Sequence, residues 1–172
     1  LGHKTKVISG LRNLRMLLMM RWVWQDALAV IALEQLTDEL SEFADGCISF
    51  AKDYTYQHLI KQYGEPTFIN AKGNVQIDDM AIMAMGKLGA HELNLSSDID
   101  LIFVHQARGV TSGDKSKGTR SIDNKRFMTR LGQGIIKVFK DYYNTFSRIS
   151  LNFNLDNNGT QETWCKKIDL YR

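Results

Sequence analysis

Two aspartates two positions apart, Asp98 and Asp100, stand at the mouth of an apolar run ending at Val104, and a Gly-x-x-Gly turn, Gly86 to Gly89 with Lys87 inside it, precedes them. A strand over 97–104 sends alternate side chains to opposite faces, so both carboxylates project to one side and Ile99 points into the core. Carboxylates held that close repel each other unless something positive lies between them. A hard divalent cation with a preference for oxygen, Mg2+ or Mn2+, answers that need. The chemistry implied is phosphoryl or nucleotidyl transfer. Gly86 and Gly89 then let the backbone approach a phosphate, with Lys87 or backbone N–H groups to neutralise it. Ser96 and Ser97 either donate hydroxyls to phosphate oxygens or satisfy the start of the strand. Glu92 and the arginines Arg120 and Arg130 are candidates for a supporting shell.

Other phosphate-binding patterns fit less well. The turn lacks the Gly-x-x-x-x-Gly-Lys-Ser/Thr of a P-loop and the Gly-x-Gly-x-x-Gly of a dinucleotide fold. It is a literal Gly-x-x-Gly, as in an RNA-binding KH loop, but Asp98 and Asp100 would repel a phosphate backbone and no basic stripe accompanies them. Cys47 and Cys165 form no Cys-x-x-Cys pair, so no zinc site is expected, and both read as reduced thiols, Cys47 in the core. The scattered His3, His58, His91 and His105 read as structural or surface residues.

The glycine turn, the nine-residue step and Asp98-Ile99-Asp100-Leu101 together resemble the signature of polymerase-beta type nucleotidyltransferases. Within that superfamily, Gly86-Lys87-Leu88-Gly89, Glu92-Leu93-Asn94 and Ser96-Ser97-Asp98-Ile99-Asp100-Leu101-Ile102-Phe103 are similar to the bifunctional enzymes that adenylylate and deadenylylate glutamine synthetase. The block from Arg120 through Asp123-Asn124 to Thr129-Arg130-Leu131-Gly132-Gln133 resembles that family's next motif. Its form is that of the amino-terminal, adenylyl-removing half. The resemblance implies an α+β fold, a small mixed sheet flanked by helices, with Asp98 and Asp100 as catalytic metal ligands. The implied reaction is phosphorolysis of the AMP on a tyrosine of glutamine synthetase, with orthophosphate and ADP or ATP as ligands and the PII signal protein as the parent enzyme's regulator. A cytoplasmic address follows, with neither nucleic acid nor membrane as partner. A pseudo-enzyme that only binds glutamine synthetase or PII is the alternative.

The elements that must hold this site follow from periodicity. Leucines at helical spacing predict one or two helices over 11–36, with Trp22 and Trp24 packing as scaffold. Thr37-Asp38 reads as the N-cap of a long helix whose inner face is Leu40, Phe43, Ala44, Cys47, Ile48, Ala51, Thr55 and Leu59. Gly64 and Pro66 end it, Gly64 as a left-handed cap. Asn70 to Asn74 is a turn between short extended pieces. Gln106 to Arg120 reads as a solvated loop, or as a cover whose cations meet phosphates. Asp123 or Asn124 caps a helix with Phe127, Met128, Leu131, Ile135 and Val138 inward.

The 172 residues divide into a helical segment (1–66), a nucleotidyltransferase core (67–140) and an atypical tail (141–172). A net charge of +3 is too small to argue for nucleic-acid binding, and no apolar run has the length of a membrane span. With no initiator Met and far fewer residues than the family's members, the chain reads as a fragment. Relatives carry a third carboxylate in an Arg-x-Asp-x-Arg-x-Arg-Pro strand, where this chain has Arg148 to Asn154 without it. Family likeness is expected to cover Leu11 to Val138 only. The tail from about Phe139 reads as foreign to the fold, leaving a sheet edge open and activity low unless Asp141, Asp156 or Asp169 substitutes.

Overall fold

The computed structural model describes residues 2–105, 108–143, 149–151 and 162–168. Two long helices open the chain, α1 (Gly2–Ala27) and α2 (Leu33–Tyr63). They are joined by a turn in which Ala29 takes a positive φ of 51°. The start of α2 differs from the expected cap: the cap position is Ala32, five residues before Thr37, with no side-chain cap, and Thr37 Oγ1 donates to the Glu34 carbonyl within the first turns. Burial of Leu36 explains the earlier start, since the apolar stripe continues upstream of Thr37. Leu40, Ala44, Ile48, Ala51, Thr55 and Leu59 are buried as their spacing requires, whereas Phe43 and Cys47, expected on the same face, are only partly buried at its margin.

Gly64 ends α2 because no side chain fits there. Its φ is 73°, its N–H donates to the Ile60 carbonyl, and a Cβ would come within 2.6 Å of the Gly113 nitrogen. Its ψ of 179° is extended, so the chain leaves the helix directly into a strand rather than through a left-handed cap. That strand, β1 (Pro66–Ile69), pairs with β2 (Val75–Ile77) and β5 (Val110–Thr111) in a small antiparallel sheet. The Asn70 side chain closes the β1–β2 turn by accepting from the Lys72 and Asn74 amides. The polar segment after residue 107 is therefore part strand; it also holds a 3-10 turn, Lys115–Lys117, capped by Asp114.

The second sheet has the order β3-β4-β7-β6, from β3 (Met80–Met85), β4 (Ile99–His105), β6 (Ile149–Leu151) and β7 (Glu162–Ile168). The α+β class holds, with every described pairing antiparallel. One face of β4, Ile99, Leu101 and Phe103, is at most 3% exposed and packs on helices, while the other face alternates to partial exposure. The helices on that core are α2 and α4 (Asn124–Tyr143), whose inward residues Phe127, Met128, Leu131, Ile135 and Val138 are buried as predicted. Asp123 supplies the cap, its carboxylate accepting from the Lys125 amide. Asn124 instead turns inward and donates to the Thr67 carbonyl and to the buried Asp78.

Two expectations are corrected. Trp22 packs as scaffold, edge to face with Phe43, but Trp24 is 63% exposed because a neighbour two positions along a helix faces another direction. The sheet edge beside β4 is not open: β7, from the tail, pairs with it along its whole length, Ile99 opposite Ile168 through His105 opposite Glu162. Asp156 and Asp169 lie outside the described residues, and Asp141 lies on the last turn of α4. Among the described residues, no helix is long and apolar enough to cross a membrane.

Candidate active site

β3 runs into the glycine turn, a single turn of helix α3 (Gly86–Gly89), and the chain returns through a polar loop into β4. The turn is built by two glycines with different duties. Gly86 has φ 60°, a left-handed conformation that costs a residue with a Cβ roughly 1–2 kcal/mol. Gly89 is needed for packing: a Cβ there would stand 2.5 Å from the Ala84 carbonyl oxygen of β3. Leu88, 1% exposed, plugs the turn into the core, and Lys87 is exposed. Ala90 has φ −91°, which an ordinary residue adopts. The Glu92 amide donates to the Lys87 carbonyl at 2.7 Å and ties Glu92 to the turn.

The loop from 91 to 97 is held from two sides. Ser41, wholly buried on α2, accepts from the Leu93 amide at 3.3 Å while donating to the Thr37 carbonyl. His91, with φ 57°, sets its ring between Asp38 and Asp45 of α2 at 3.7 Å from each. Inside the loop Asn94 Oδ1 accepts from the Ser97 hydroxyl at 2.6 Å and from the Ser96 amide and hydroxyl, and Ser97 Oγ accepts in turn from the Asn94 amide. Ser97 is buried, so its hydroxyl serves the loop; Ser96 is exposed.

This frame delivers Asp98 immediately before β4 and Asp100 within it, both half-buried, with Ile99 between them fully buried. Asp100 stands opposite Met85, and a Cβ on Gly86 would lie 3.7 Å from Asp100 Oδ2. The bare backbone of the glycine turn therefore borders the carboxylate. Among the described residues no three His, Cys, Asp or Glu side chains gather as a metal site. Two carboxylates alone suit a cation that keeps several waters or takes phosphate oxygens as its other ligands, which is the habit of Mg2+.

The structure brings Gly86, Lys87, Glu92, Ser96, Ser97, Asp98 and Asp100 into one continuous turn–loop–strand unit, but it does not bring Arg120 and Arg130 there. The Arg120 amide donates to the Gln62 carbonyl, and the Arg130 guanidinium lies 4.8 Å over the Tyr63 ring. Both sit at the C-terminal end of α2, whereas the aspartate loop is anchored at Ser41, about 33 Å away along the helix axis. Sequence reasoning missed Ser41 and His91 as holders of the loop. A buried serine among apolar helix positions was the available signal for the first; for the second nothing in the spacing pointed to α2.

The family model for glutamate-ammonia ligase adenylyltransferase matches residues 1–147. The bifunctional glutamine synthetase adenylyltransferase/adenylyl-removing enzyme of Acinetobacter baylyi is 47% identical over 125 residues, 73% of this chain and 13% of that protein. The enzyme of the same description from Hahella chejuensis is 42% identical over 128 residues, 74% of the chain and 12% of that protein. The chain thus spans about an eighth of the length of these relatives, and the family match reaches past Val138 but stops before β6. With the family model covering most of its length, the chain belongs to the glutamate-ammonia ligase adenylyltransferase family.

Proposed function

We propose that this domain, within a longer parent chain, removes AMP from adenylylated glutamine synthetase by phosphorolysis. The observation that carries the reading is Asp100 beside the bare glycine turn, with Asp98 two residues before it at the entrance to β4, in a chain of this family. The adenylyl-removing direction rests on the Glu92-to-Asp100 and Asp123-to-Gln133 motifs. An oxygen of orthophosphate bonds to the AMP phosphorus, the phosphorus–tyrosyl oxygen bond breaks, and the phenolate takes a proton, giving ADP and free tyrosine. Asp98 and Asp100 would hold Mg2+ or Mn2+, which when bound screens the two negative reactants and the in-line transition state. The chain's own part is positioning. Burial of Ile99 fixes the strand that aims both aspartates, Gly86 keeps the approach to Asp100 clear, and exposed Lys87 and Ser96 offer a cation and a hydroxyl to phosphate oxygens.

The parent's address is cytoplasmic in this proposal, with ADP or ATP and the PII signal protein as its other partners. A non-catalytic role, binding glutamine synthetase or PII without turnover, has one observation in its favour: no third carboxylate joins Asp98 and Asp100 among the described residues. On that ground the isolated chain should bind nucleotide but turn over slowly. The KH reading falls with the family assignment.

Thermal unfolding tests the site. Mg2+ with ADP should raise the Tm of the 172-residue chain more than either alone, and Asp98→Asn or Asp100→Asn should abolish the joint effect. An equal response of wild type and Asp98→Asn would remove the aspartates from the site. In the parent enzyme, release of AMP with water as acceptor, rather than ADP with phosphate, would overturn the mechanism.

A further inference from the structure

The face of the sheet that carries Asp100 is apolar beyond it. Met85 stands opposite Asp100, and one pairing step on, Met83 stands opposite Ile102. Both methionines are 47% exposed and Ile102 is half-buried, whereas on the reverse face of the same strands Met80, Leu101 and Phe103 are buried and Ile82 and Ala84 half-buried against the core. Next to two carboxylates, therefore, lies an open strip two strands wide and two pairings long, roughly 5 Å by 7 Å from strand spacing and rise. Nothing in the core explains methionine there, because these side chains contribute little burial. Its thioether is polarizable and makes favourable contacts with aromatic rings.

We propose that Met83, Met85 and Ile102 form a platform for the adenine ring of the nucleotide whose phosphate meets Asp98 and Asp100. This rests on the proposed nucleotide reading of the aspartate pair and names where the base goes. The strip is polar at the end where a nucleotide is charged and apolar about 7 Å further along, where its base lies. Its area suits one flat ring system and is far below the roughly 800 Å² per partner that a protein surface needs to dock. Contact is with the ring's face and not its hydrogen-bonding edge, so the platform holds a purine without choosing between purines.

Calorimetric titration of the 172-residue chain with ADP, GDP and pyrophosphate, each with Mg2+, tests this. Met83→Ala should weaken ADP and GDP alike by about fivefold and leave pyrophosphate unchanged, and Met83→Leu should stay within about twofold of wild type. Met83 is half exposed, so truncation there does not threaten folding. Unchanged ADP affinity in Met83→Ala overturns the platform while leaving the phosphate site standing. Equal losses for ADP and pyrophosphate overturn it too, by showing a disturbed strand. Unchanged ADP affinity with lost turnover of an adenylyl-tyrosyl substrate would assign the strip to the tyrosine ring. If wild type binds no ADP, or Asp98→Asn binds it equally well, the platform falls together with the reading beneath it.

Discussion

Glu39 is the residue through which α1 is fastened to α2. Its Oε2 accepts from Trp22 Nε1 and from Arg21 Nη2, each at 2.8 Å, and its Oε1 accepts from Gln35. The Trp22 hydrogen bond above all, with help from Gln35 and Arg21 and against the effect of burial, holds this carboxyl below the ordinary glutamate value of 4.5. A depressed folded pKa contributes stability that is complete above the unfolded value and lost as pH falls through the folded one. Stability should therefore decline with acidification below about 4.5, and Glu39→Gln should flatten that part of the curve. Trp22→Phe keeps the apolar contact and removes the donor, at an expected cost of about 1 kcal/mol near neutral pH. Thermal melts across acidic pH check both; an undiminished acid slope in Glu39→Gln would deny Glu39 this role.

At the scale of elements, the two central helices approach through a glycine. A Cβ on Gly134 of α4 would fall 2.3 Å from Thr55 Cγ2 of α2, while Gly132, two positions earlier, has nothing within 4 Å of where its Cβ would be. Alanine is favoured over glycine inside a helix by up to about 1 kcal/mol. Gly132→Ala should thus stabilise by several tenths of a kcal/mol. Gly134→Ala should instead cost about 1–2 kcal/mol, because the buried Thr55 has no room to yield. Removing the offending methyl with Thr55→Ser should recover most of that loss in the double variant. Urea unfolding of the four proteins reads the cycle, and simple additivity of Gly134→Ala and Thr55→Ser would show that the helices do not meet there.

The whole molecule is organised around β4, whose buried face shares one hydrophobic core with α2 and α4 and which has β3 on one edge and β7 on the other. Seven pairs join β4 to β7, although the family match has ended before β7 begins. A chain truncated after residue 143 should consequently lose stability and expose the β4 edge, a template for pairing with a second copy. The expected results are a lower Tm and concentration-dependent association in sedimentation. A truncated chain that stays monomeric at the Tm of the full chain would show that β7 does not hold this edge.

The sequence by itself determined what depends on neighbours along the chain. The apolar stripes of α2 and α4, the Asn70 turn and the alternation that buries Ile99, Leu101 and Phe103 while leaving Asp100 and Ile102 half-buried are all local periodicities, and the motif spacing named the family. Where helix α2 begins was less legible, because burial of Leu36 by tertiary packing decides it rather than the capping chemistry of Thr37. Only the tertiary structure could separate Trp22 from Trp24, or send the Asn124 side chain inward and leave capping to Asp123. It alone set Arg120 and Arg130 at the far end of α2 from the aspartates, since distance through space is not a function of spacing in sequence. It also paired the unfamiliar β7 with β4: backbone hydrogen bonds ask only for an extended partner of suitable length and carry no family signature.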